Sequence, residues 1–360
     1  MQAHADLFVH EARAQRQDIG PITIVKTTLG GSRDNRIQAF ATAGGFPVKL
    51  KGFKSGKLVD ETIQVTSVCR ALDANVDWLH LKEIFAHETE TIFSNVGETG
   101  YDLSVEDQLT SNSTDTAPKS FPAKLTALLF HRFKNGAQPL LILPTELVSS
   151  NGHVLRQLVL DLSKDLGDVF KNWLDQSVTF CDTLVDRIVS EAIEPIGAIG
   201  EPYGLWAIKR VAGLREPLQH PCIVYTDDLE PYLRLKLHIL NLGHSFLAEI
   251  WKTENLPAGQ TVRGMLQISD IKNRLIELYD TEIIPGFADH KMEAEAKLYV
   301  ATTLERFQNP FLNHRLSDIY QNHKYKIERR MIDFVEWVLA VNPLAQFPKL
   351  KIIINANSTP

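Results

Sequence analysis

The sequence predicts an α/β domain over residues 1–227 followed by an all-α domain over residues 228–360. Three observations carry that prediction. In the first half, short runs of branched and aromatic residues alternate with helix-like segments, the order that builds a largely parallel sheet flanked by helices. From about residue 230 the β signal fades and apolar residues recur at steps of three and four, the spacing of a helical stripe. Between the two halves, TDDLEPY (226–232) reads as a joint.

The elements follow in order. PITIVK (21–26), VKLKGF (48–53), TIQVTSV (62–68), TIFSN (91–95) and PLLILP (139–144) each combine β-favouring residues with turn residues at an end, which marks strands. DWLHLKEIFAH (77–87), PAKLTALLFHRF (122–133) and HVLRQLVLDLSKDLGDVFKNWL (153–174) have helical patterning, and the polar QLTSNSTDTAPKS (108–120) is a loop. In the second half, ISDIKNRLIELYD (268–280) sets Ile268, Ile271, Leu275 and Leu278 on one helical stripe. EAEAKLYVATTLERF and MIDFVEWVLAV read the same way. No internal repeat interrupts this plan.

Composition narrows the function classes. A chain of 360 residues with 44% hydrophobic content can bury a core of enzyme size. A formal net charge of -6 offers no counter-charge to a polyanion, which argues against nucleic acid as a partner. Runs such as PLLILP are too short to span a bilayer, and MQAHADLFVHEARAQRQ lacks the basic start and apolar stretch of a signal peptide, so no membrane partner and a cytoplasmic location are expected. Cys69, Cys181 and Cys222 form no CxxC pair and read as small buried apolar groups. Without HExxH or another ligand spacing among twelve histidines, no metal is expected.

Five stretches set polar residues in apolar surroundings. In KLHILNLGH (236–244), an α-helix at about 100° per residue places Asn241 roughly 140° and His244 roughly 80° from Lys236, so the three share one side. That face either converges on a small molecule or is the polar stripe of an amphipathic helix. In ILPTELVSSNGH (142–153), Asn151 precedes Gly152 as a turn or site residue. FCDTLVDRIV (180–189) sets Asp186 and Arg187 in an apolar run, as an ion pair or a site. IFSNVGETGYD (92–102) brings Asn95 to a tight loop or to a loop near a cofactor. RFQNPFLNHRLSDIYQNHKYKIERR (306–330) is dense in His, Arg and Lys.

Together with SFPAKLTALLFHRF (120–133), these stretches resemble the mannitol dehydrogenase family of polyol-specific long-chain dehydrogenases, in the same order over nearly the whole chain. PTEL and NPFLNHRLSDIYQNHKYK look closest to its tagaturonate reductase branch. The resemblance implies a Rossmann-like dinucleotide-binding domain followed by a helical catalytic domain. It further implies metal-free hydride transfer, with NAD or NADP, between the hydroxyl of a sugar acid or polyol and the matching ketone. Its K-x4-N-x2-H signature maps onto Lys236, Asn241 and His244, and its second asparagine onto Asn151. Lys236 would then exchange the hydroxyl proton, its amine desolvated by the surrounding leucines. Asn151 and Asn241 would donate to the developing oxyanion, and His244 and Asp186 would hold neighbouring hydroxyls. Lys326 corresponds to a basic residue that meets substrate. The mannitol-specific branch has an arginine eight positions before it, where this chain has Asp318 with Arg315 nearby. That departure, and a cation able to pair with a carboxylate, favour a sugar acid over a neutral polyol.

The family opens on a strand and a glycine-bearing turn, whereas this chain begins MQAHADLFVHEA, which resembles the helix after that turn. No GxGxxG occurs elsewhere, GGSRD (30–34) included. The expectation is a sequence that starts directly in a helix, a sheet with an unfilled central position beside PITIVK, and further coding sequence upstream of Met1. Lys26, at the end of the PITIVK strand, stands where it would tolerate a 2′-phosphate and hence NADP. A non-catalytic sugar-binding homologue without the cofactor loop is the competing class.

Overall fold

A computed structural model describes residues 2–28, 34–42, 44–107, 109 and 116–357. It divides into two compact units. The first comprises Met1–Lys49, Thr62–Gly200 and Gly204–Leu229, and the second Leu50–Glu61, Glu201–Tyr203 and Glu230–Pro360. GGSRD up to Arg33 and most of QLTSNSTD lie outside the described residues.

The chain enters in helix α1 (Ala5–Ala14) and continues through β1 (Ile22–Lys26), α2 (Asp34–Thr42), the hairpin β2 (Phe46–Lys54) and β3 (Lys57–Val65), and β4 (Val68–Asp73). Next come α3 (Trp78–His87), β5 (Thr91–Ser94), α4 (Phe121–Lys134), β6 (Leu140–Pro144), α5 (Asn151–Leu162), α6 (Asp168–Ser177) and β7 (Val178–Phe180). Five short strands follow: β8 (Thr183–Asp186), β9 (Val189–Ala192), β10 (Ala198–Gly200), β11 (Leu205–Lys209) and β12 (Ile223–Thr226). Where one helical segment is expected over 153–174, two occur. The first ends at Leu162, and Gly167 at φ +95° caps the start of the second, a conformation that a residue with a side chain resists.

The parallel sheet comes in two pieces, β1 with β4 and β5 with β6 and β7. β1 and β5 have no hydrogen-bonded neighbour on their other sides among the described residues. A groove of about 1920 Å³, lined by both strands along their length and floored by Leu125 and Leu128, runs between them. β11 with β12 is parallel as well, and the other pairings correct the expectation of a largely parallel sheet. β8 is antiparallel to β11, β9 is antiparallel to β10, and VKLKGF and TIQVTSV belong to a separate sheet of order β3-β2-β10-β9.

Burial explains the helix faces. Trp78, Phe85, Leu129, Ile142, Leu155, Phe170 and Trp173 form one core of this unit. On the other side Phe8 and Val9 of α1 pack with Leu143, Trp206 and Ile208. Cys181 is buried, but Cys69 is exposed at the sheet edge, its thiol 3.6 Å from the Ile22 carbonyl.

The second unit is helical: α7 (Glu230–Leu235), α8 (Leu242–Thr253), α9 (Val262–Leu266), α10 (Ser269–Leu278), α11 (Ile284–Asp289), α12 (Glu293–Phe307), α13 (Leu316–Tyr320), α14 (His323–Ile327), α15 (Asp333–Leu339) and α16 (Pro348–Asn357). Three π-turns join consecutive helices, at Lys236–Asn241, Tyr279–Ile283 and Glu328–Ile332. Leu275, Leu278, Tyr279, Phe287, Met331 and Phe334 fill the core, while Ile268, placed on the same stripe by spacing, lies half out of it as the residue before α10. The RFQNPF motif is a clamp within this unit. Arg306 pairs with Glu201 at 2.7 Å, both side chains buried, while Asn309 donates to the Lys51 carbonyl at 2.9 Å and Glu305 accepts from the Gly56 amide at 2.8 Å. Gly52 is packed so closely on the Asn309 amide that a Cβ would collide with it.

Candidate active site

KLHILNLGH is not a regular α-helix. Over Lys236–Asn241 it winds as a π-turn, in which the Leu242 amide bonds the Leu237 carbonyl five residues back. Such a turn is wider, advancing about 82° per residue. Five steps then carry Asn241 only about 50° from Lys236, and three further α-helical steps bring His244 to within about 10° of it. The five-residue spacing that looked loose on an α-helix aligns all three side chains once the turn is π.

The polar groups on this face differ in what they already hold. The Asn241 carboxamide is half-buried and makes no hydrogen bond among the described residues, although its backbone carbonyl is bonded. His244 is buried, with the Phe307 ring tilted against it at 4.4 Å and the His314 ring edge-on at 4.7 Å, and its Nε2 has no hydrogen-bond partner among the described residues. Burial holds the His244 imidazole well below its ordinary pKa, reinforced by the neighbouring His314 and by positive charge on Arg330, Arg306 and Lys326. His244 is therefore neutral in a cationic setting. His314 is likewise depressed, first by burial and then by Lys326 and Arg330, against the opposing pull of Asp318.

The other expected residues fall in different places. Lys326 is half-buried in this cationic group and donates to the Ile319 carbonyl at 2.7 Å. Arg315 is exposed ahead of α13, and its guanidinium makes no hydrogen bond or ion pair among the described residues. In the first unit, Asp186 is buried at the end of β8, and Arg187 donates to the Ala3 carbonyl at 2.5 Å and lies 5.2 Å over the Phe8 ring.

Two expectations require correction. Asn151 is buried with its amide fully used. Nδ2 lies 3.0–3.1 Å from the carbonyls of Pro144, Glu146 and Thr183, and Oδ1 accepts from the amides of Gly152 and Thr183 at 2.9 Å. No N–H is left to give an oxyanion, so Asn151 ties the end of β6 to β8 instead. Lys26, expected to meet a ribose 2′ group, is buried with its ammonium 3.0 Å from Asp73. Its charge is neutralised inside the unit.

At the carboxyl ends of the parallel strands the chain presents Asn95, exposed after β5 and 3.3 Å from the Thr145 hydroxyl. Buried Glu146 anchors that loop, accepting from Ser94, the Val96 amide and Tyr101, each at 3.0 Å. In open α/β sheets this end of the strands is where dinucleotides bind. The described residues include no GxGxxG turn. Among the described residues no cluster of His, Cys, Asp and Glu could hold a metal ion, and no helix is long and apolar enough to cross a membrane.

Sequence reasoning missed Gly243, Tyr279, His314 and Arg330. Only Gly243 carried a local signal, a glycine inside an apolar helical run. A Cβ there would collide with the Tyr279 hydroxyl.

Comparison with known proteins adds independent findings. Residues 53–219 match the mannitol dehydrogenase Rossmann domain, and residues 228–355 match the mannitol dehydrogenase C-terminal domain. An altronate oxidoreductase of Halalkalibacterium halodurans is 30% identical over 357 residues, covering 92% of this chain and 67% of the relative. That of Bacillus subtilis is 32% identical over 314 residues, covering 80% and 63%. The chain thus spans about two thirds of the length of these relatives. In fold it is similar to a D-sorbitol dehydrogenase, with TM-score 0.79 and 17% identity over 94% of this chain and 74% of the other. It is also similar to Pseudomonas fluorescens mannitol 2-dehydrogenase, solved with NAD and D-mannitol, with TM-score 0.73 and 16% identity over 98% and 75%.

Proposed function

Because the chain belongs to the mannitol dehydrogenase family, we propose that it is an NAD- or NADP-dependent oxidoreductase that interconverts a sugar-acid hydroxyl and its ketone, tagaturonate and altronate being the first pair to test. The observation that carries this reading is the π-turn over Lys236–Asn241, whose pitch would bring Lys236, Asn241 and His244 onto one face, with Lys326 and Arg330 adding positive charge around His244. A bound nicotinamide supplies or accepts the hydride. In the reductive direction the Lys236 ammonium gives its proton to the carbonyl oxygen as the carbinol forms, and in the oxidative direction the amine takes it back. The Asn241 amide donates to that oxygen while it carries negative charge. Neutral His244 offers Nε2 to a neighbouring hydroxyl, fixing which carbon reacts. The cations around His244 suit a substrate carboxylate better than a neutral polyol.

The test is turnover of tagaturonate, fructuronate and fructose with NADH and NADPH, using the wild type and Lys236→Ala. The expected result is fastest reduction of a uronate and loss of at least about a thousandfold in kcat for the variant. Wild-type-like turnover by Lys236→Ala overturns the mechanism, and a preference for fructose reassigns the chain to the mannitol type. The competing class is a non-catalytic sugar-binding homologue. Titration with NADH and NADPH separates the two, since only the enzyme needs to bind either.

A further inference from the structure

We propose that Tyr279, Gly243 and Arg330 are positioning residues, which hold the Lys236–Asn241 π-turn in its wide form and thereby align Lys236, Asn241 and His244. The inference rests on the catalytic reading of that face. A π-turn is less favourable than continued α-helix, so something outside the segment must hold it. Three hydrogen bonds reach it, at His238, Ile239 and Asn241. The Tyr279 hydroxyl, from the second π-turn, donates to the Ile239 carbonyl at 3.0 Å. Arg330, from the third, donates through Nη1 to the Asn241 carbonyl at 3.0 Å and to the Ser245 hydroxyl at 2.9 Å. The Arg330 carbonyl in turn accepts from His238 Nδ1 at 3.1 Å, an imidazole that burial depresses to about 3 and keeps neutral.

The chemistry of each support suits a fixed strut. Tyr279 is fully buried, and burial raises its pKa, so the phenol remains a neutral donor. Burial brings the Arg330 guanidinium down to about 10, which leaves it charged near neutral pH. Gly243 makes room, because any side chain there would displace the Tyr279 hydroxyl. Without these struts the segment would regain α-helical pairing, and Asn241 would swing from about 50° to about 140° away from Lys236. The glycine in KLHILNLGH is thus part of the device that turns a five-residue spacing into one face.

The full chain carrying Tyr279→Phe, Gly243→Ala, Arg330→Lys or Arg330→Met tests this through two readouts. The first is the kinetics of tagaturonate reduction. The second is the rate at which trace acetic anhydride acetylates Lys236, measured by peptide mass spectrometry, which needs neither substrate nor cofactor. Tyr279→Phe and Gly243→Ala are expected to lower kcat by about 10–100-fold with KM changed less than about threefold, and to alter the Lys236 labelling rate by at least about threefold. Arg330→Lys should retain more activity than Arg330→Met, since only the former keeps a cationic donor. Circular dichroism identifies any variant that fails to fold. Should Gly243→Ala do so, Tyr279→Phe decides, because it removes one oxygen and leaves the packing. A folded Tyr279→Phe with wild-type labelling and kcat overturns the proposal. If instead the catalytic reading is wrong, Lys236→Ala keeps its turnover while Tyr279→Phe still changes the labelling of Lys236, so the two failures are distinguishable.

Discussion

Two asparagines on which the same task was expected sit in opposite circumstances. Asn151, in the α/β unit, is surrounded by five backbone partners. Asn241, in the helical unit, presents a carboxamide with no partner among the described residues. The difference extends to their neighbourhoods. Next to Asn151, Glu146 is a buried carboxylate with three donors, and elsewhere in that unit Lys26 has its counter-ion. Near Asn241, His244 keeps a buried nitrogen with no partner among the described residues amid positive charge. Saturated polar groups hold a framework, whereas groups with unused hydrogen-bonding capacity are available to a substrate. Residue type and sequence context do not separate the two cases, but the hydrogen-bond inventory does.

The sharpest way to break this contrast is to exchange its members. Asn241→Ala should lower kcat by about a hundredfold with unfolding free energy almost unchanged. Asn151→Ala should do the reverse, costing about 3–5 kcal/mol in denaturant titration because it orphans several buried main-chain groups. Similar kinetic losses in two equally stable variants would remove the distinction. Next in size is Arg306→Met, which strands the buried Glu201 carboxylate and should cost about 3–5 kcal/mol. A loss below about 1 kcal/mol would mean that the clamp contributes only to orientation. Gly167→Ala should cost about 1–2 kcal/mol, since it places a side chain at φ +95°.

The smallest effect concerns pH. Burial opposes ionisation of Asp107, but hydrogen bonds from Ser120, Ser104 and Lys119 outweigh it and hold its carboxyl below the ordinary value of 3.8. A depressed carboxylate contributes stability that is fully present above its unfolded pKa and is lost as pH falls through the lower folded one. Between pH 5 and 2, within about the range where carboxylates titrate, Asp107→Asn should show a shallower decline in melting temperature than the wild type. Parallel curves would assign the acid sensitivity to other groups.

Much of the fold was legible because its signals are local. PITIVK, TIFSN and PLLILP are strands since branched residues between turn residues favour extended chain, and DWLHLKEIFAH and ISDIKNRLIELYD are helices because their apolar residues recur on one side. The short strands after residue 186, β9 to β12, escaped notice because they are three to five residues long and depend on pairing with distant chain. Lys26 was misjudged for the same reason, as its counter-ion Asp73 lies 47 residues away.

The site divides along the same line. By itself the sequence determined which side chains lie on KLHILNLGH and the order in which they follow one another, since both are properties of a continuous segment. Only the tertiary structure decided that the segment is a π-turn, because the donors that support it come from 40 and 89 residues further along the chain. The angle between Lys236 and Asn241 is set by those distant hydrogen bonds, and no propensity within nine residues encodes it.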